Sequence, residues 1–491
     1  MCPPVAFVGS ATALAADLRL GDLVVASELR TLGSGAASAG TSSTAETARV
    51  PRRALPGAEL LAAEIRRNGL GARTGAVASS AAALSWRQRA ALADSGVLAL
   101  DVHSAPATAS FAGRPTAVVL TVAELSADRS AGAPGAAGIG GVRALGSLLG
   151  VRAALDCWAR ATGPHEVVLA SPRSFCAGVE RAIETVEKAL ERYGPPVYVR
   201  RQIVHNLHVV ESLEAKGARF VEEIDDVPPN AVVVLAAHGV SPEVRRRAAD
   251  RGDLEVIDAT CPLVAKVHSE ARRYANQGHE IVLIGHSEHE EVIGTLGEAP
   301  ARFHVVETAQ DVGDLDVDAA RPVAYLTQTT LATDETAAVV AALKARFPEI
   351  AAPPANDICY ATQNRQDAVR AIARNCDLLL VVGSENSSNT ARLAEVAARE
   401  GCHAQLIEDA SRLRLSWLGG VHTIGITAGA SAPDVLVQEI VDTIALLGPV
   451  SLREERTTEE TVRFALPIQV RSCQSRYART SESLLTSSSN D

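Results

Sequence analysis

Three cysteines sit in short polar settings just ahead of helix-like stretches. They are Cys176 in SPRSFCAGVERAIE, Cys261 in IDATCPLVAKVHSEA and Cys359 in NDICYATQNRQDAVRAIA. They lie 85 and 98 residues apart, so they come from three separate structural units. Three thiolates converging from three units can hold an iron–sulfur cluster and leave one iron without a protein ligand. Such an iron is a place to bind and reduce a substrate. Spacing alone does not decide the matter. There is no compact Cys-x-x-Cys run, and three unrelated core thiols fit the same spacing. Structural zinc ordinarily takes four ligands in close pairs. Cys2, Cys157, Cys376, Cys402 and Cys473 read as small buried apolar residues.

A second group of residues could hold an anion. GSENSSN opens the helical stretch TARLAEVAARE, so Ser387, Ser388 and Asn389 place donors and free N–H groups at a helix start. AGASAP leads into DVLVQEIVDTIALLG, which puts Ser431 in the same kind of position. Ordinary helix caps explain either one alone. His205, His238 and His289 fall at strand ends or helix starts and can serve as counter-charges for a diphosphate. Glu291 and Thr329 supply a carboxylate and a hydroxyl that could relay protons. His208, His268, His279 and His286 read as surface or supporting residues.

The elements that must position these groups follow from composition and pattern. The chain has 491 residues, 47% hydrophobic but only 3% aromatic, so its core must be built from Ala, Val, Leu and Ile. Near-continuous runs of such residues form buried parallel strands. From His165 onward, EVVLA, AVVVLAAHG, LEVIDATCP, EIVLIGH, VAYLTQTT, DLLLVVGS and VHTIGITAG alternate with helical stretches. That rhythm predicts α/β units with parallel sheets, whose ligands bind at the carboxyl ends of the strands. Ser241, Pro242 and Gly252 read as the cap, first residue and stop of one helix.

The polar break ARATGPHE near Gly163 predicts a boundary. Before it, GDLVVAS, GVLALDVHS and RPTAVVLTVAE read as strands, and LPGAELLAAEIRRNG and WRQRAALADSG as helices. TLGSGAASAGTSSTAET and SAGAPGAAGIGG read as loops. Residues 163–467 divide into three α/β units, roughly 163–255, 256–350 and 351–467, in a pseudo-threefold array about a common centre. Residues 449–467 read as a surface loop and a final strand, and 468–491 as a disordered tail.

A formal charge of −11 argues against nucleic-acid and anionic-membrane partners. No stretch approaches the ~20 apolar residues of a membrane span. The N-terminus lacks the basic and apolar regions of a secretion signal, which predicts a cytoplasmic protein with reduced thiols.

Taken together and in order, PRSFCAGVERAI, VHN, AHGVS, DATCPLVAKVH, GHSEHEEVIGT, TQTTL, CYATQNRQ, GSENSSN and TAGASAP closely resemble the 4-hydroxy-3-methylbut-2-enyl diphosphate reductase family over residues 165–467. The resemblance implies a trefoil of three α/β units around a [4Fe–4S] cluster held by Cys176, Cys261 and Cys359. It implies that His205, His238, Ser387, Ser388, Asn389 and Ser431 hold the diphosphate of an allylic substrate. Glu291, aided by Thr329 and His289, would deliver protons, and a ferredoxin or flavodoxin would supply electrons. Three positions depart from the family's usual pattern. Ser174 stands for Gly, Glu290 for Pro and Glu385 for Lys. Glu290 adds a second carboxylate beside Glu291 and leaves two candidates for the proton carrier.

Residues 1–162 lie outside that resemblance. GDLVVASEL, GAVASS, ALDVHSA and RPTAVVLTVAE faintly resemble the C-terminal half of nucleoside phosphorylase and nucleosidase domains. His103 stands where that family has a ribose-binding Glu, and Glu124 near its catalytic Asp. A truncated, non-catalytic α/β layer is the expectation. Two other functions remain open at this point: a metal-stabilised scaffold, and nucleosidase activity in the N-terminal segment.

Overall fold

A computed structural model describes residues 3–32, 51–81, 84–111, 113–125, 147, 150–317 and 321–471. Both Gly/Ser/Ala-rich loops lie largely outside the described residues, and so do Cys2 and Cys473. The chain divides into two compact units. The first takes residues up to Val168 together with Asp409–Ile424 and Gln438–Arg453. The second takes Leu169–Glu408, Gly425–Val437 and the chain from Glu454 onward. The first unit therefore recruits two later segments that a boundary at residue 162 leaves out.

The first unit is built on β1 (Val5–Ala13), β2 (Leu23–Leu32), β3 (Arg52–Ala54), β4 (Ala72–Ser80), β5 (Val97–Asp101) and β6 (Thr116–Leu125). They pair in the order β3-β2-β4-β5-β1-β6, and β2 also pairs with β6. That last pairing, antiparallel with Leu23 opposite Thr121, closes the sheet on itself. Register shifts at Ala11/Thr12, Ala26/Glu28 and Ala76/Val77 bend the strands enough to close. The interior is filled by Ala11, Val24, Leu29, Val77, Val118 and Leu120, all buried. The strands β2, β4, β5, β1 and β6 thus close into a barrel, and β1 and β4 join the three strands anticipated from sequence.

Three further sheets follow. β7 (His165–Ser171) lies in a five-stranded sheet with β15 (Leu378–Val382), β16 (His403–Ile407), β17 (Thr423–Ala428) and β18 (Val450–Arg456), in the order β16-β15-β17-β7-β18. β8 (Val197–Arg200), β9 (Ala218–Val221), β10 (Val232–Leu235) and β11 (Glu255–Asp258) form an all-parallel sheet, order β11-β10-β8-β9. β12 (Glu280–Ile284), β13 (Phe303–Val306) and β14 (Val323–Thr327) form a parallel sheet, order β13-β12-β14. Every residue of β15 is buried, as a strand covered on both faces requires. Ser241 caps its helix, with Pro242 first and a left-handed Gly252 at the end.

The sheets do not follow the linear three-way division. β7 belongs with strands from the far end of the chain rather than with residues 197–255. Residues 449–467 have the strand first and the loop after it. Ile468–Val470 forms a 3₁₀ turn with Val470 buried against the core, so order extends past 468. Residues 472–491 lie outside the described residues. No helix among the described residues is long and apolar enough to cross a membrane.

Candidate active site

Each of the three cysteines caps a helix. Cys176 precedes α1 (Ala177–Tyr193), Cys261 precedes α2 (Pro262–Asn276) with Pro at its first position, and Cys359 precedes α4 (Tyr360–Ala373). Here α3 is Glu290–Leu296, α5 is Ser388–Arg399 and α6 is Asp434–Ala445. The three cysteines also hang from three different sheets. Cys176 follows β7, and its N–H donates to the Ala430 carbonyl (3.3 Å). Cys261 follows β11 and donates to the Ala237 carbonyl (2.9 Å). Cys359 departs from the strand-then-cysteine pattern. It follows an irregular segment joined to β14 by a lone bridge at Ala351, and its N–H donates to the Thr329 carbonyl (3.1 Å) just past the end of β14. All three therefore stand at carboxyl ends of strands, beside the positive ends of three helices.

Cys176, Cys261 and Cys359 line one cavity of about 700 Å³, counted to its mouth. Gly178 fixes how close two of them come. A Cβ at that position would stand 2.8 Å from Cys261 Sγ and 3.7 Å from Cys176 Sγ. The two sulfurs are therefore no further apart than the sum of those distances. Burial pushes the Cys261 thiol up to about 12 and the Cys359 thiol up to about 11, and the neighbouring cysteines add to both. Thr362 opposes this at Cys359, because its N–H donates to the sulfur (3.3 Å). Thiols held this high stay protonated at neutral pH unless a cation stands beside them. Among the described residues, no three His, Cys, Asp or Glu side chains close tightly enough around a point to hold one metal ion.

Glu291 lies on the same cavity wall and is 3% exposed. Its Oε1 accepts from the Thr329 N–H (2.7 Å) and its Oε2 from Thr329 Oγ1 (3.0 Å). Both bonds favour the ionised form, yet burial outweighs them and pushes the carboxyl up to about 7. Its neighbour Glu290 takes a different course. Arg201 Nη1 donates to Glu290 Oε1 at 2.6 Å, and Glu290 is absent from the cavity wall. The two adjacent carboxylates are thus distinguished by their partners.

His205, His238 and His289 converge. The rings of His205 and His238 stack at 4.0 Å, and His289 stands 5.5 and 6.0 Å from them. Burial lowers all three, His289 to about 4, and their mutual proximity deepens the effect at His238 and His289. Facing them, Ser387 caps α5, and Ser388 Oγ accepts from Thr330 Oγ1 (3.0 Å). Ser431 is no helix cap. It stands ahead of α6, and its Oγ donates to the His205 carbonyl (3.0 Å). Four buried polar atoms on this wall have no partner among the described residues: His205 Nε2, His238 Nδ1 and both side-chain heteroatoms of Asn389. An unpaired buried polar atom costs about 1–3 kcal/mol. Donors and acceptors so placed suit a polar ligand.

The cavity thus gathers the residues singled out from sequence as ligand, anion partner or proton carrier, apart from Glu290. His208, His268, His279 and His286 stay off its wall, and His268 is buried 2.9 Å from Glu298. Thr330 and Thr362 went unnoticed in the sequence. Their signal was a hydroxyl directly after Thr329 and another at the third position of the helix headed by Cys359.

The LytB protein family model matches residues 167–445. A protein of Cutibacterium acnes named 4-hydroxy-3-methylbut-2-enyl diphosphate reductase is 56% identical over 307 residues, covering 62% of this chain and 95% of that one. One of the same name from Bordetella pertussis is 58% identical over 302 residues, with 62% and 93% covered. Among solved structures, the E-1-hydroxy-2-methyl-but-2-enyl-4-diphosphate reductase of Plasmodium falciparum is 39% identical. It superposes with a TM-score of 0.59 over 63% of this chain and 96% of that one.

Proposed function

The chain belongs to the LytB protein family, and from that membership we propose a reductive dehydroxylation carried out by residues 165–467. The substrate is (E)-4-hydroxy-3-methylbut-2-enyl diphosphate, and the products are isopentenyl and dimethylallyl diphosphates, at the end of the methylerythritol phosphate route. The observation that carries the proposal is a single cavity lined by three helix-capping cysteines, a carboxyl that burial raises to about 7 and four buried polar atoms without a partner among the described residues.

The residues fit a [4Fe–4S] cluster held by Cys176, Cys261 and Cys359. Burial raises the Cys261 and Cys359 thiols, which need a cation beside them to ionise, and all three cysteines stand at helix starts around one cavity. When bound, the cluster supplies single electrons and an iron site without a protein ligand. The rest is the work of side chains. His205, His238, Ser387, Ser388, Asn389 and Ser431 take the diphosphate, and the start of α5 adds its positive end. Anchoring one end fixes the allylic end, and such positioning supplies at most ~7–11 kcal/mol of the barrier. Burial raises the Glu291 carboxyl to about 7, so a large share of it carries a proton at neutral pH, and Thr329 keeps it aimed. With His289 beside it, Glu291 protonates the departing hydroxyl, which leaves as water. Two electrons and two protons are consumed for each water released. A ferredoxin or flavodoxin is the electron donor that the family implies.

The test is an anaerobic assay of the full chain with the hydroxylated diphosphate and a reduced dye. Formation of both C5 diphosphates supports the proposal, and none from cluster-loaded protein contradicts it.

For residues 1–162 we infer a non-catalytic domain. The Asp101 carboxylate is taken up by the His103 and Ser104 N–H groups and by Ser104 Oγ. Glu124 accepts from Thr12 Oγ1 at 3.1 Å. Free base released from adenosine-type nucleosides would overturn this inference.

A further inference from the structure

Arg365 has 0% exposure, the largest side chain so fully buried among the described residues. It lies on α4, the helix headed by Cys359, and does not line the substrate cavity. Its guanidinium joins three pieces of chain. Nε and Nη2 both donate to the Ser174 carbonyl, at 3.1 and 2.7 Å, and Nη2 also reaches the Phe175 carbonyl (3.2 Å). Nη1 donates to the Ala361 carbonyl (2.9 Å) and to both oxygens of Glu460, at 3.0 and 3.3 Å. The Asn364 amide also donates to Glu460 (3.0 Å). Every side of this planar donor is used.

What it grips is the turn leading into Cys176. Ser174 has φ 60°, a left-handed conformation that a side chain with a Cβ disfavours. Its N–H donates to the Ala428 carbonyl at only 3.4 Å, so its own backbone bond is long. The carbonyl that this conformation presents is the one taken by two Arg365 donors. Glycine would adopt the same turn without strain.

We propose that Arg365, held by Glu460, is a positioning residue that pins the left-handed Ser174 turn against the Cys359 helix, so that the Cys176 and Cys359 thiolates keep a fixed separation and retain the cluster. The proposal rests on the reading of these cysteines as cluster ligands. Glu460 neutralises a charge that could not stay buried alone. Arg365 touches no substrate and acts through the ligand loop.

The experiment uses the full chain, reconstituted anaerobically with iron and sulfide. Wild type, R365K and E460Q are each made with and without S174G. A chelator is added, and the loss of visible absorbance gives the rate of iron release. Circular dichroism of the apo forms checks the fold. R365K is expected to lose iron about tenfold faster than wild type, the size expected for lost charged hydrogen bonds, and E460Q to lose it a few-fold faster. Both apo forms keep the wild-type spectrum. The acceleration by R365K is smaller in the S174G background, because glycine removes the strain that the arginine restrains. Should R365K fail to fold, E460Q leaves the arginine in place and carries the test. Release rates within about twofold of wild type in every folded variant would overturn the inference. An R365K effect undiminished by S174G would overturn its link to the turn. Wild type that takes up no cluster overturns the reading of the cysteines themselves, whereas a loaded wild type with unaltered variants overturns only the role of Arg365.

Discussion

Thr329 holds both oxygens of Glu291, one through its backbone N–H at 2.7 Å and one through its hydroxyl at 3.0 Å. Those two bonds pull the carboxyl towards ionisation while burial pushes it up to about 7, and burial prevails. The folded state therefore keeps a proton that the unfolded chain gives up near the ordinary carboxyl value of 4.5. Stability attached to this group is full below 4.5 and is lost as pH rises through about 7. Turnover should follow the same sign, because the proposed donor is the protonated form. With cluster loading held constant, kcat should fall as pH rises above about 7. Glu291→Gln should keep the cluster and lose roughly 10²–10⁴ in turnover, the usual worth of a general acid. Normal activity in that variant removes Glu291 from the mechanism.

Glu290 gives the control. Its partner is Arg201, at 2.6 Å, and it does not line the cavity. Glu290→Gln should therefore retain turnover within a few-fold and leave the alkaline limb of the pH profile in place. If Glu290→Gln abolishes that limb, the two carboxylates have been assigned the wrong way round.

Burial keeps the histidine cluster neutral. His205 and His238 sit below the usual 6.5 and His289 at about 4. A bound diphosphate opposes that shift by attracting the protonated form. Binding should take up protons, and affinity should weaken as pH rises. Calorimetry of pyrophosphate binding in two buffers of different ionisation enthalpy measures the uptake directly. Without ligand the linkage runs the other way. Stability tied to His289 is present above 6.5 and is lost as pH falls towards about 4. Zero proton uptake on binding would remove the histidines as counter-charges.

Gly178→Ala should act on the cysteines alone. The added methyl would press on Cys261 Sγ at 2.8 Å. Overpacking of this kind costs about 1–3 kcal/mol, which the fold can absorb. Iron content should drop sharply while the apo protein's thermal unfolding shifts by a few degrees. Full iron loading in this variant would mean that the two sulfurs do not need their present approach.

The cysteines were legible because each stands in a polar turn just ahead of a strong helical pattern, a local signal; that Cys359 follows an irregular segment and not a strand was not. Ser387 was legible as a helix cap for the same reason. Ser431 looked alike in sequence, but its hydroxyl turned to the His205 carbonyl, a partner on another loop. Which of Glu290 and Glu291 is buried could not be read from two identical neighbours. Arg201 decides it, and it arrives from the end of β8, a contact that only the folded chain makes. Arg365 looked like one more polar residue on a helix. Its burial depends on the Ser174 turn and on Glu460, far away in sequence. Closure of the first sheet was hidden too, because β1 (VAFVGSATA) alternates small residues and gives a weak strand signal.

Cys176, Cys261 and Cys359 are proposed to hold one iron–sulfur cluster together. Iron and acid-labile sulfide, measured after anaerobic reconstitution, test it most directly. Wild type should bind both in equal amounts and turn brown. Replacing any one of the three cysteines with Ala should abolish or sharply reduce that content, while Cys376→Ala leaves it unchanged. A colourless wild type without iron, or single variants that all stay fully loaded, would contradict the claim.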